Sequence, residues 1–117
     1  MAKASDIEEL ARWFEAAAIC HGYAIDTNKG KLADRVLADI EKMVKHAHQL
    51  GVDAENRLAA FMGAEHKPWV RFRAAISMIK THRSLAIKTL RDLQSGTGLF
   101  VPMCVALVAD FEKPYDA

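Results

Sequence analysis

The residues best suited to chemistry are a block of basic side chains in the second half of the chain. Between His66 and Arg91 there is no acidic residue, while seven are basic: Lys67, Arg71, Arg73, Lys80, Arg83, Lys88 and Arg91. Arg73 and Lys80 are two helical turns apart, so they share one side of a helix. Cations gathered on one surface attract phosphate groups or acidic proteins, so this basic block predicts a binding surface.

The rest of the chain is acidic, which offers a second interpretation of the basic block. The net charge of +1 divides into −3 for residues 1–65, +7 for residues 66–91 and −3 for residues 92–117. Acidic residues of the N-terminal helices could neutralise the block inside the molecule, and the candidates are Glu8, Glu9, Glu15, Asp34 and Asp39. The sequence leaves both interpretations open.

Histidine, cysteine and glycine residues form no catalytic or metal-binding pattern. His46 and His48 are two residues apart, which on a helix turns them about 200° from each other. Cys20 and Cys104 lie in apolar stretches without a neighbouring base, so we expect free thiols in a reducing cytoplasm. The "GTG" turn at residues 96–98 lacks the lysine of a phosphate-binding loop. We therefore expect no catalytic residue, metal site or cofactor.

Capping signals and hydrophobic periodicity predict the first two helices. The capping box "SDIE" at Ser5 predicts the start of the first helix, and Gly22 predicts its end. The second helix ends before Gly51 and carries an apolar stripe made of Leu32, Val36, Ile40, Met43, Ala47 and Leu50.

Four shorter helices follow. Asp53 is expected to cap the third, Pro68 to open the fourth and Ser84 to cap the fifth. The sixth is expected from about Phe100 to Glu112. Since no strand pattern occurs and 51% of the chain is hydrophobic, we expect one all-α domain over residues 1–117, with about six helices in antiparallel hairpins.

The longest apolar run bears on membranes and on assembly. Leu99–Ala109 is too short for a bilayer, which needs about 20 residues, and the charged N-terminus predicts no signal peptide. We therefore expect a cytoplasmic protein without membrane contact. Because the last helix is apolar nearly all round, it should be covered by the second helix or by another subunit. The chain could thus be a monomer or a homodimer, with internal burial favoured.

The stretch "KPWVRFRAAISMI" resembles the second helix of a HEAT-type repeat, in which a proline precedes a Val-Arg pair and two alanines. Those positions are Pro68, Val70, Arg71, Ala74 and Ala75. The order of segments is similar to a small bacterial HEAT-like family catalogued as a domain of unknown function. The resemblance implies a right-handed, armadillo-type α-α superhelix. HEAT repeats often carry an aspartate before the proline, whereas this chain has "AEHKP", so we expect Arg71 to lack its usual acidic partner.

These observations favour a non-catalytic scaffold or binding module that recognises a partner protein through the face of a helical hairpin. Trp69 and the basic residues from Arg71 to Arg91 are the candidate contacts. Trp69 could lie partly exposed beside Arg73, or it could pack over a neighbouring hairpin. The alternative function is nucleic-acid binding by the basic surface of the fourth and fifth helices, and a small enzyme comes third.

Overall fold

The computed structural model describes residues 3–112, and over that range it contains helices and turns but no strand. The helices are α1 (Ala4–Asp26), α2 (Gly30–Leu50), α3 (Val52–Ala59), α4 (Pro68–Ser77), α5 (Arg83–Gln94) and α6 (Val101–Glu112). A short 3₁₀ turn, Ala60–Met62, extends α3. The all-α prediction and the number of helices are therefore confirmed for the described residues. None of these helices is long and apolar enough to cross a membrane.

α1 and α2 form a long hairpin that builds much of the core. In the turn between them Asn28 has a φ of 58°, a left-handed conformation that asparagine tolerates. The predicted stripe of α2 is confirmed, because all six of its residues are buried or partly buried in the core. They pack with the α1 residues Leu10, Phe14 and Ala18. α2 ends where predicted, before Gly51, whose φ is 107°.

The predicted end of α1 at Gly22 is wrong, since the helix continues to Asp26. Gly22 is needed for packing and not for termination. A Cβ atom at this position would lie 2.3 Å from Cγ of Trp69, far inside van der Waals contact. The glycine therefore lets an aromatic side chain of α4 rest on the backbone of α1.

The predicted serine and aspartate caps are also wrong, because Ser5, Asp53 and Ser84 lie inside their helices. The residues that precede α1, α3 and α5 are Lys3, Gly51 and His82, and none makes a side-chain capping hydrogen bond. The prediction for α4 is confirmed, with Pro68 as its first residue. Packing, more than capping, must hold the short helices in place.

α4 lies at the centre of the fold. It packs against α1, α3, the 3₁₀ turn and α5, and five of its ten residues are buried. Ala74 and Ala75 have no exposed surface, which fits the role of small side chains in bringing helices close together.

α6 packs on α5 at the edge of the fold, with Cys104 and Val108 turned inward, and Phe100 just before the helix is also buried. Its outer face is not covered as expected from the sequence, and Val105 is 52% exposed. The favoured internal burial of this helix is therefore wrong, because α2 packs on α1 and α3 instead.

Candidate binding site

The basic block does not form one exposed row, because Arg73 is buried. Its residue surface is only 8% exposed, and its guanidinium group lies over the Phe72 ring at 5.1 Å. Burial lowers the pKa of Arg73, and the nearby charge of Glu41 opposes that shift. The predicted role of Arg73 as an outward cation is thus wrong, since α4 is surrounded by other helices.

Arg71 has the acidic partner that the sequence did not predict. Its Nε donates a hydrogen bond to the Met62 carbonyl oxygen at 3.0 Å, and its Nη2 lies 3.6 Å from Oδ2 of Asp92. The aspartate comes from α5, so it could not be found in the turn before Pro68. Arg71 therefore links the 3₁₀ turn, α4 and α5.

The other basic residues lie in different surroundings. Arg83 donates a hydrogen bond to the Phe111 carbonyl oxygen and so joins the start of α5 to the end of α6. Lys80 borders a groove between α2 and α4, whereas Lys88 borders one between the 3₁₀ turn and α5. Arg91 and Lys67 are exposed.

Neutralisation of the basic block by the N-terminal helices is limited among the described residues. Glu8 accepts a hydrogen bond from Arg57, which lies outside the block, and this bond lowers the pKa of Glu8. Glu15 lies 3.7 Å from His66 at the edge of the block. No lysine of the block is within ion-pair distance of a described carboxylate.

Trp69 is half-buried and packs over the neighbouring hairpin, which was one of its two predicted positions. Its Nε1 donates a hydrogen bond to Oδ2 of Asp26 at 3.2 Å. Its ring meets Phe72 and Phe100 edge to face, with centroids 5.7 and 5.3 Å away. These contacts fix the indole between α1, α4 and the start of α6.

A groove of about 450 Å³ lies above this indole, and we call it the Trp69 groove. Its lining comes from three parts of the chain: Ile19, Tyr23 and Asp26 of α1; Lys67, Pro68 and Trp69 at the start of α4; and Thr97, Gly98 and Phe100 before α6. Of these lining residues, Tyr23 is 53% exposed and Ile19 is 39% exposed. Large apolar side chains in a cluster on the surface are typical of binding sites.

Sequence reasoning missed Tyr23 and Ile19 because it ended α1 at Gly22. A helix that continues through Gly22 brings these two residues onto one side, since they are four positions apart. That spacing of four was the sequence signal that could have identified this surface.

No group of three or more histidine, cysteine or acidic side chains within the described range could hold a metal ion. Cys20 and Cys104 are both free thiols. No family model matches the chain, and comparison with curated proteins and with solved structures gives no significant match.

Proposed function

We propose that this chain is a non-catalytic binding module that holds an amphipathic helix of a partner protein in the Trp69 groove. The observation that carries the proposal is the exposed apolar rim around a half-buried tryptophan. Aromatic anchors in apolar pockets dominate the energy of many protein interfaces. A rigid groove also lowers the entropy lost on binding.

The charges at the groove favour a partner with acidic residues beside its apolar anchor. Lys67 lines the groove, and Lys29 lies 5.0 Å from the Tyr23 ring centroid. Asp26 accepts the Trp69 hydrogen bond and keeps its negative charge, so the two lysines outnumber it and leave the groove with a net positive charge. Complementary charges at a rim mainly raise the association rate and the specificity.

The proposal includes a HEAT-like stacking of the helices. Three consecutive pairs, α1–α2, α3–α4 and α5–α6, follow one another along the chain, and α4 packs on both α1 and α5. Such an order supports a short superhelix in which each hairpin contacts its neighbours. A groove between successive hairpins is then the natural position for a partner.

Affinity enrichment with quantitative mass spectrometry tests the proposal. Tyr23→Ala and Ile19→Ala remove exposed side chains that line the groove, so the fold should tolerate them. Trp13→Ala is the matched control, since Trp13 is 61% exposed on α1 but lines a different groove with His46 and Leu50. We expect a stoichiometric partner with the wild type and with Trp13→Ala, and loss of that partner with the rim variants. A partner retained by both rim variants would contradict the proposal.

Nucleic-acid binding is the competing outcome of the same enrichment. Exposed Lys80 and Lys88 could contact phosphates, although Arg73 is buried and Arg71 pairs with Asp92. In that case nuclease treatment would release the partner, and affinity would fall steeply with salt. Lys80→Glu and Lys88→Glu would then weaken binding more than the rim variants do.

A further inference from the structure

A second concave site lies between α2 and α4, with a volume of about 260 Å³. Its aliphatic lining residues are Leu37, Ile40, Val44, Ile76 and Ile79, and His48 and Ser77 line it beside the charged side chains. The α2 residues follow a helical spacing of three and four, so one face of that helix forms a wall. The cavity therefore suits a ligand with a hydrocarbon body.

Two cations line the same cavity. Arg73 is more than nine-tenths buried, and Lys80 is exposed just beyond the end of α4. The Nε atom of Arg73 is buried and has no hydrogen-bond acceptor among the described residues. No described carboxylate lies within ion-pair distance of either side chain.

A buried Nε–H group without an acceptor is costly. It loses its hydration, and the protein returns neither an ion pair nor a hydrogen bond to Nε. The depressed pKa of Arg73 has the same cause, because burial disfavours the charged form. Nε itself is shielded from solvent, so an anion in the cavity would bond the two Nη atoms, which have no acceptor among the described residues.

We propose that the cavity between α2 and α4 binds a small aliphatic carboxylate, with the carboxylate at Arg73 and Lys80 and the hydrocarbon body between the aliphatic walls. Arginine binds carboxylates in a planar, bidentate geometry, and Lys80 adds a second positive charge at the cavity edge. The ligand is small because drug-sized sites enclose roughly 300–1,000 Å³. This site is separate from the Trp69 groove and does not depend on the proposed function.

Glu41 favours a monoanion over a phosphate. This residue lines the cavity, and its charge acts on Arg73 without forming an ion pair. A nearby carboxylate repels a doubly charged group more than a singly charged one. The ligand class is therefore a monocarboxylate with a short carbon chain.

Titration of the purified chain with sodium hexanoate, followed by amide chemical shifts in NMR spectra, tests the site. Acetate has the charge without the hydrocarbon body, and hexan-1-ol has the body without the charge. We expect saturable shifts in α2 and α4 with hexanoate, and binding at least about tenfold weaker for both controls. Absence of saturable binding, or equal binding of hexan-1-ol, would overturn the proposal.

Variants then identify the residues that bind the carboxylate. Arg73→Met keeps an unbranched apolar stem and removes the guanidinium group, so it should weaken hexanoate binding about tenfold or more. Lys80→Gln should weaken it about two- to fivefold, while Glu41→Gln should strengthen it by a similar factor. Lys88→Gln, an exposed lysine on α5, should change nothing.

Lys80→Gln and Glu41→Gln change exposed residues, so they still test the site if Arg73→Met does not fold. Opposite effects of Lys80→Gln and Glu41→Gln support the site, because both residues line the cavity and carry opposite charges. Equal binding by the wild type and these two variants would overturn it.

Discussion

Trp69 rests directly on the backbone of Gly22, so that a methyl group added at Gly22 would lie 2.3 Å from the indole Cγ and 2.8 Å from Cδ2. The indole cannot turn aside easily, because it also packs on Phe72 and Phe100 and donates a hydrogen bond to Asp26. One glycine near the C-terminal end of α1 thus determines how closely α4 approaches.

Gly22→Ala should destabilise the protein, although alanine is normally the better helix former. Overpacking a core contact costs about 1–3 kcal/mol, whereas the gain in helix propensity from glycine to alanine is about 1 kcal/mol. The net effect on the free energy of unfolding is therefore expected to be a loss. Gly30→Ala is the matched control, because a Cβ at Gly30 meets nothing within 4 Å. Urea unfolding measures both variants. A Gly22→Ala protein as stable as Gly30→Ala would show that the indole can move away.

His21 should make the protein less stable at mildly acidic pH. The residue is buried and its Nδ1 has no hydrogen-bond partner among the described residues. Burial first, and then the charge of Arg73 on α4, lower its pKa from 6.5, while Asp34 on α2 opposes the shift. The unfolded chain therefore takes up a proton before the folded one, so the free energy of unfolding falls as the pH drops below about 6.5.

His21→Gln should reduce that slope, because glutamine does not titrate. The measurement is the free energy of unfolding of both proteins between pH 7.5 and pH 5. The remaining histidines are the same in both proteins, so the difference between the slopes isolates His21. Parallel curves would contradict the assignment.

Arg71→Met should destabilise the fold through the turn before α4. The variant removes the hydrogen bond from Nε to the Met62 carbonyl oxygen, at a cost of about 1–2 kcal/mol. Lys88→Met, on the exposed side of α5, should stay within about 0.5 kcal/mol of the wild type. Asp92→Asn should cost under about 1 kcal/mol because this ion pair is partly exposed. Arg71→Met as stable as Lys88→Met would indicate that the hydrogen bond contributes nothing.

Cys104 should resist alkylation in the folded protein. Burial raises the pKa of its thiol to about 11, so about one thiol in a thousand is ionised at pH 8. Peptide mapping after treatment with iodoacetamide gives the labelling rate, with the partly buried Cys20 as an internal reference. We expect rapid labelling of Cys104 only in denaturant. Labelling of Cys104 at the rate of a fully exposed thiol would show that α6 detaches readily from α5.

The sequence alone predicted the features that depend on neighbours along the chain. The stripe of α2 and its end at Gly51 follow from helical periodicity and from glycine's access to positive φ. Pro68 opens α4 because the first helical position needs no amide donor. The helical fold class follows from the same local signals.

Tertiary structure decided the features in which distant segments meet. Gly22 predicts a helix end from sequence, whereas in the structure it makes room for Trp69 of α4. Spacing places Arg73 and Lys80 on the same side of a helix, yet only Arg73 is buried. Arg71 pairs with Asp92, which belongs to α5. Burial and pairing depend on which helices become neighbours in space, and spacing within one helix does not contain that information.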